Sequence, residues 1–375
     1  MTGRLAVLSV ACWLCACDPP RRAWPDAGGA VEAIAEASHE SAWGQDSGTP
    51  QGKLYPARRC GECHGRQRDE WGKSAHARAS SQIFEGTLAK VAEPQQKACL
   101  GCHRPLESAG ARVAPDGVAC DACHTATGAG EQSGGVKLEP ALATRFGPYK
   151  DSKDHHFHRV GYSAFVTGDA LCLSCHQDSS GGAWAVYDTG AEVKASGTEK
   201  RCADCHMPGF SAIAAKGEKV RPVAHHDFGG AQGKAPALAA ALQVETKHSP
   251  MGLTVTLSNH GVPHALPTGR PERRLRLEVH WKGAGDEALG DLDRGFGRML
   301  VDADGKPAPS FLAAKVQSDF RLFDGKPVMQ RFQAPPKAAA AVVQVFYEPF
   351  DPELSAWFPK AERVLVLERR EALTK

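Results

Sequence analysis

The chain has 375 residues, 42% of them hydrophobic and 23% charged, with a formal net charge of +2. That length admits two domains, and the near-neutral charge gives no argument for a nucleic-acid partner. Beyond the extreme N-terminus no stretch is long and apolar enough for a membrane-spanning helix.

Residues 1–17 read as an export signal. Arg4 supplies a short positive start, and Leu5 to Leu14 form an apolar run too short to cross a bilayer. The run ends in Leu14-Cys15-Ala16-Cys17, which resembles the bacterial lipoprotein signal. The resemblance implies lipidation of Cys17, a membrane anchor and a protein facing the periplasm or the cell surface. Residues 18–52 are rich in Pro, Gly, Ala, Ser and acidic side chains and read as a flexible tether.

Residues 53–234 hold ten of the 13 cysteines; the other three are Cys12, Cys15 and Cys17. The ten form five Cys-x-x-Cys-His motifs: Cys60, Cys63, His64; Cys99, Cys102, His103; Cys120, Cys123, His124; Cys172, Cys175, His176; and Cys202, Cys205, His206. Two cysteines three apart place both sulfurs on one side of a single turn, where they reach the two vinyl groups of one porphyrin. The adjacent histidine then lies under the iron as its proximal ligand, so the motif is an attachment signature for haem c. A zinc ribbon would not need a histidine after every pair. The expectation is five covalent haems in about 30 residues each, too few to build an ordinary core, so that closely packed porphyrins are themselves the core. Strand patterns are scarce in this segment, and short helical pieces such as Asp69 to Arg78 are expected.

Axial ligation is the protein's main control over haem redox behaviour. Of 16 histidines, five are proximal. His39 falls in the tether and His280 in a strand pattern, which leaves His76, His155, His156, His158, His225, His226, His248, His260 and His264 as candidates for the sixth position. Trp71 is expected to pack on a porphyrin. Met207 directly follows a proximal histidine and is excluded as a ligand to the same iron.

The stretch CGECHGRQRDEWGKSAHA (Cys60 to Ala77) resembles the opening of the tetrahaem cytochromes linked to hydroxylamine oxidation, in which the histidine matching His76 is a distal haem ligand. The run FGPYKDSKDHHFHRVGYSAF before the fourth motif is similar to that family too and implies a distal ligand at His158, with His155 and His156 as alternatives. CADCHMP followed by HHDFGGA likewise points to His226. The resemblance covers about residues 55–232, and the chain departs from it by carrying five motifs.

Residues 235–375 change character. They lack cysteine, and Gly252 to Ser258, Arg274 to Trp281, Ala339 to Tyr347 and Arg363 to Glu368 alternate apolar and polar residues between Gly, Pro and Asp turns. Period-2 alternation predicts an all-β, sandwich-like domain after a mainly helical or irregular multihaem domain. Within it, NHGVPHALPTGR (Asn259 to Arg270) resembles a signature that follows haem domains in some multihaem cytochromes. It leaves three roles for His264: ligand to a haem, ligand to a separate metal, or hydrogen-bonded turn residue.

These readings converge on a membrane-anchored pentahaem cytochrome that carries electrons between redox partner proteins outside the cytoplasm, with no catalytic residue assigned. The alternative is an oxidoreductase with one open-coordinate haem acting on a small nitrogen or sulfur compound.

Overall fold

The computed structural model describes residues 54–110, 116–130, 134–177, 187–230, 235–249, 252–359 and 361–373. The expected signal, the lipidation site Cys17, the tether and His39 lie outside the described residues, all of which belong to one compact unit.

The chain is mixed. Its first part is built from short helices and three two-stranded sheets. Helices at Ala57–Cys60, Glu93–His103, Cys120–His124, Asp169–His176 and Cys202–His206 each carry one motif or lead into it. A helical turn suits the spacing because residues i, i+3 and i+4 share a face. In the first motif the His64 amide bonds the Cys60 carbonyl at 2.9 Å, closing that turn. The three small sheets pair β1 (Ala126–Ala129) with β2 (Val136–Leu138), β3 (Thr144–Gly147) with β4 (Arg159–Tyr162), and β5 (Gly209–Ile213) with β6 (Val220–Ala224). They were not legible as strands because each has only three to five residues. The helix expected over Asp69 to Arg78 instead spans Gly65–Gly72 and gives way to turns at Ser74.

Apolar packing is thin here. Among the described residues one small cluster of Leu106, Ala119 and Ala122 is buried, with Trp71 against it. The Trp71 indole N–H donates to the Val118 carbonyl at 2.8 Å. Polar ties do more. Buried Asp121 accepts from the Tyr55 amide at 2.7 Å and pairs with Arg145, also at 2.7 Å. Asp169 accepts from the Cys202 amide at 2.9 Å, joining the fourth and fifth motif helices.

The second part consists of β7 (Leu242–Ser249), β8 (Gly252–Asn259), β9 (Arg274–Lys282), β10 (Ala288–Val301), β11 (Lys315–Asp319), β12 (Val328–Gln333), β13 (Ala340–Glu348) and β14 (Val364–Ala372). They form a five-stranded sheet in the order β11-β10-β9-β13-β14 and a three-stranded sheet in the order β12-β8-β7, antiparallel throughout. Inward residues alternate as the period-2 pattern requires: Leu253, Val255 and Leu257 on β8, Leu275, Leu277, Val279 and Trp281 on β9, Val343, Val345 and Tyr347 on β13. All ten belong to one core cluster shared by the two sheets. The opposite face of β9 carries Arg276, Glu278 and His280, which pair across strands with Glu348, Arg363 and Asp291.

Trp281 is 1% exposed and fills the centre of this core. Trp281→Ala is expected to cost about 3–5 kcal/mol of unfolding free energy, because the removed ring leaves a cavity that rigid neighbours cannot close. Denaturant titration of the haem-loaded protein reads this as an earlier midpoint.

Candidate functional site

Four of the five motif histidines face a second histidine. Ring centres lie 6.4 Å apart for His64 and His158, 6.1 Å for His76 and His176, 6.3 Å for His124 and His226, and 6.3 Å for His206 and His264. A first-row metal sits about 2 Å from an imidazole nitrogen, and the ring centre lies about 1 Å further on. Two imidazoles sharing one metal therefore have centres about 6 Å apart. Three pairs are near parallel, at 28°, 23° and 19°, and the His76–His176 pair is at 61°.

Hydrogen bonds fix which ring nitrogen is available. The Nδ1 of His64 bonds the Ala214 carbonyl at 2.8 Å, that of His103 the Ala79 carbonyl at 3.0 Å, and that of His124 the Phe146 carbonyl at 2.7 Å, while His206 bonds Gly229. On the opposing side, Nδ1 of His158, His226 and His264 bonds the carbonyls of Arg159, Ala224 and Ala265 at 3.0, 2.9 and 3.1 Å. A carbonyl only accepts, so each Nδ1 carries the proton and each Nε2 presents a lone pair. Burial pushes His76, His176, His226 and His264 down to about 4, which keeps these rings neutral and able to ligate at neutral pH. Burial likewise lowers His64, His103 and His158.

His103 differs. Phe84 stacks on its face at 4.4 Å and 8°, and among the described residues no histidine meets it as in the other four pairs. Arg270 lies close enough for its charge to act on both His103 and Cys99.

Neighbouring motifs also touch through their cysteines. Sulfurs of neighbouring motifs lie within hydrogen-bond reach of each other, Cys60 by Cys120, Cys102 by Cys175 and Cys172 by Cys202. Cys123 lies near enough to Cys172 to feel its charge. Phe228 bridges the third and fourth sites, with its ring edge-on to His76 at 4.3 Å and to His226 at 6.0 Å. It holds a left-handed backbone at φ 48°, uncommon for a bulky residue. Gly117, at φ 65°, lies where a Cβ would overlap the carbonyl oxygen of His76, so the close approach that positions His76 requires glycine.

Other sequence candidates stand elsewhere. His155 and His156 lie with ring centres 4.0 Å apart, tilted by 40°, on an exposed turn. His225 pairs with Glu70 at 3.1 Å, His248 with Glu371 at 3.5 Å, and His280 with Asp291 at 2.7 Å. His260 lies just after β8, its amide bonded to the Ala241 carbonyl at 2.8 Å. Sequence reasoning missed Phe228, Gly117 and the Phe84–His103 stack, whose partners are distant in the chain and follow no local spacing.

Among the described residues no three His, Cys, Asp or Glu side chains converge as a cage for a bare metal ion. Facing imidazole pairs would instead hold the iron of a haem between two ring nitrogens, and the haem would supply one-electron chemistry there. The poor apolar core around the motifs fits the same group, since porphyrins would supply the missing apolar mass.

Comparison with known proteins agrees. The family described as "Cytochrome c554 and c-prime" matches residues 59–125, which contain the first three motifs. The high-molecular-weight cytochrome c of Nitratidesulfovibrio vulgaris is 24% identical over 260 residues, covering 67% of this chain and 38% of that protein. This chain thus spans well under half the length of that relative. The chain thus resembles multihaem c-type cytochromes. The resemblance implies covalently bound haem c, which the cysteine pairs would attach and the facing imidazoles would ligate. The chain shares its fold with the crystal structure of a penta-heme cytochrome c552 from Thermochromatium tepidum, at a TM-score of 0.68 and 22% identity, over 86% of this chain and all of that one.

Proposed function

We propose that the protein is a pentahaem electron carrier in which His76, His158, His226 and His264 are the distal ligands opposite His176, His64, His124 and His206. The observation that carries this reading is the set of four imidazole pairs at 6.1–6.4 Å. Haem supplies one-electron chemistry, and two strong nitrogen ligands leave no position for a substrate, which favours transfer through the porphyrin edges. The cysteine contacts order the haems. The first neighbours the third, the third neighbours the fourth, and the second and fifth both neighbour the fourth, so electrons entering at the first haem reach a branch at the fourth.

The domain division at 234/235, with a β sandwich following the haem domain, belongs to the same reading. So do export, a lipid on Cys17 that holds the protein to a membrane facing the periplasm or cell surface, and redox proteins as partners. Among the described residues no helix is long and apolar enough to cross a membrane. That the structural neighbour is a penta-heme cytochrome supports the count. Pyridine haemochrome assay together with intact mass is expected to give five haems per chain, and a count of four or fewer in fully matured protein would contradict the reading.

A second reading has its own observation. The haem at Cys99, Cys102 and His103 is the one without a facing histidine among the described residues, and it has the Arg270 cation nearby. That haem is the open-coordinate centre if the protein acts on a small nitrogen or sulfur compound.

A further inference from the structure

The loop carrying His264 belongs to the β-rich part, yet His264 faces the fifth motif histidine, His206. Something must hold that loop against the haem-bearing part. The peptide between His264 and Ala265 is gripped at both ends. Its carbonyl accepts from the Asn259 side-chain amide at 2.7 Å, a contact within the loop's own part. Its N–H donates to Glu192 Oε2 at 3.0 Å, and Glu192 lies 73 residues away in the helix Thr189–Ser196 of the haem-bearing part. The same oxygen accepts from the Thr268 hydroxyl at 3.0 Å, and Thr189 meets Thr268 at 2.9 Å.

The carboxylate is itself held. Its Oε1 accepts from Arg321, which also pairs with Asp319 at 2.8 Å, and Arg298 pairs with Asp188 at the start of the same helix. The Glu192 and Arg321 side chains are 7% and 6% exposed, so the pair is shielded and its geometry constrained. A buried carboxylate is tolerated only with such partners, and its bonds to N–H and O–H groups are stronger than neutral ones.

We propose that Glu192 is the positioning residue for His264. Fixing the orientation of the 264–265 peptide fixes the direction in which the His264 side chain leaves the backbone, and thereby holds the imidazole on the fifth iron. The proposal rests on the reading of His264 as that iron's distal ligand. Nothing in the sequence around Glu192 distinguishes it from an ordinary solvent-facing helix acid.

The test uses the full-length haem-loaded protein and four variants, His264→Ala, Glu192→Ala, Glu192→Gln and Thr268→Val. Low-spin signals in the electron paramagnetic resonance spectrum and carbon monoxide titration of the reduced protein are the readouts, taken well below each variant's unfolding midpoint, where a loss of stability that leaves the protein folded moves neither. His264→Ala is expected to turn one haem high-spin. Glu192→Ala is expected to shift the same haem by lowering the on-iron to off-iron ratio of His264 about tenfold, the scale of one lost charge-assisted hydrogen bond. Thr268→Val is expected to shift it less. Glu192→Gln keeps an acceptor for the Ala265 N–H and is expected to stay near wild type. A high-spin His264→Ala beside Glu192→Ala and Thr268→Val with unchanged spectra would overturn the role of Glu192 alone. An unchanged His264→Ala would overturn the ligand reading and the proposal with it. If Glu192→Ala fails to accumulate, Thr268→Val decides between the first two outcomes.

Discussion

His264→Ala is expected to add one carbon monoxide equivalent per reduced chain, raising the uptake from about one to about two, as one haem passes from six-coordinate to open. The expectation follows from the 6.3 Å spacing and 19° angle of the His206 and His264 rings, which leave room between them for one iron and no other group. The fold should survive, since His264 is not part of the apolar core that the two sheets share. The midpoint potential of that haem should move as well, axial ligand identity being the strongest control over it. Titration of the variant beside wild type gives the difference directly, and equal uptake would show that another group ligates the fifth iron.

The second large effect belongs to the second motif. Cys99→Ala combined with Cys102→Ala removes one attachment point and is expected to lower the haem count from five to four while abolishing carbon monoxide binding. The reason is the contrast between His103, stacked on Phe84 at 4.4 Å, and the four motif histidines that face an imidazole. A variant that loses one haem and keeps its uptake would place the open iron elsewhere. In the intact protein the same haem is the one whose Soret band should respond to nitrite or hydroxylamine.

The attachment chemistry was legible because it is local. Each Cys-x-x-Cys-His needs one helical turn, and five residues contain the whole instruction. The resemblance named His76, His158 and His226 as distal candidates, but not which motif histidine each one faces. His76 faces His176, a hundred positions away, and the match depends on how the irregular chain wraps rather than on any periodicity. The β-rich part was legible where alternation is strong, as in β8, β9 and β13. It was not legible in β10, whose Ala288–Arg294 stretch is glycine-containing and charged. There pairing with β9, reinforced by Arg276 and Asp293, overrides a weak strand propensity. The tie between the two parts was hidden for a similar reason: Glu192, Arg321 and Thr268 are common surface residue types, and only their convergence gives them a role.

Spin-state quantitation of the oxidised, fully loaded protein by electron paramagnetic resonance and near-infrared magnetic circular dichroism tests the central claim most directly. The four facing pairs predict four low-spin haems with the bis-imidazole signature and one high-spin haem per chain. Two or more high-spin haems, or a low-spin signature other than bis-imidazole among the four, would contradict the account.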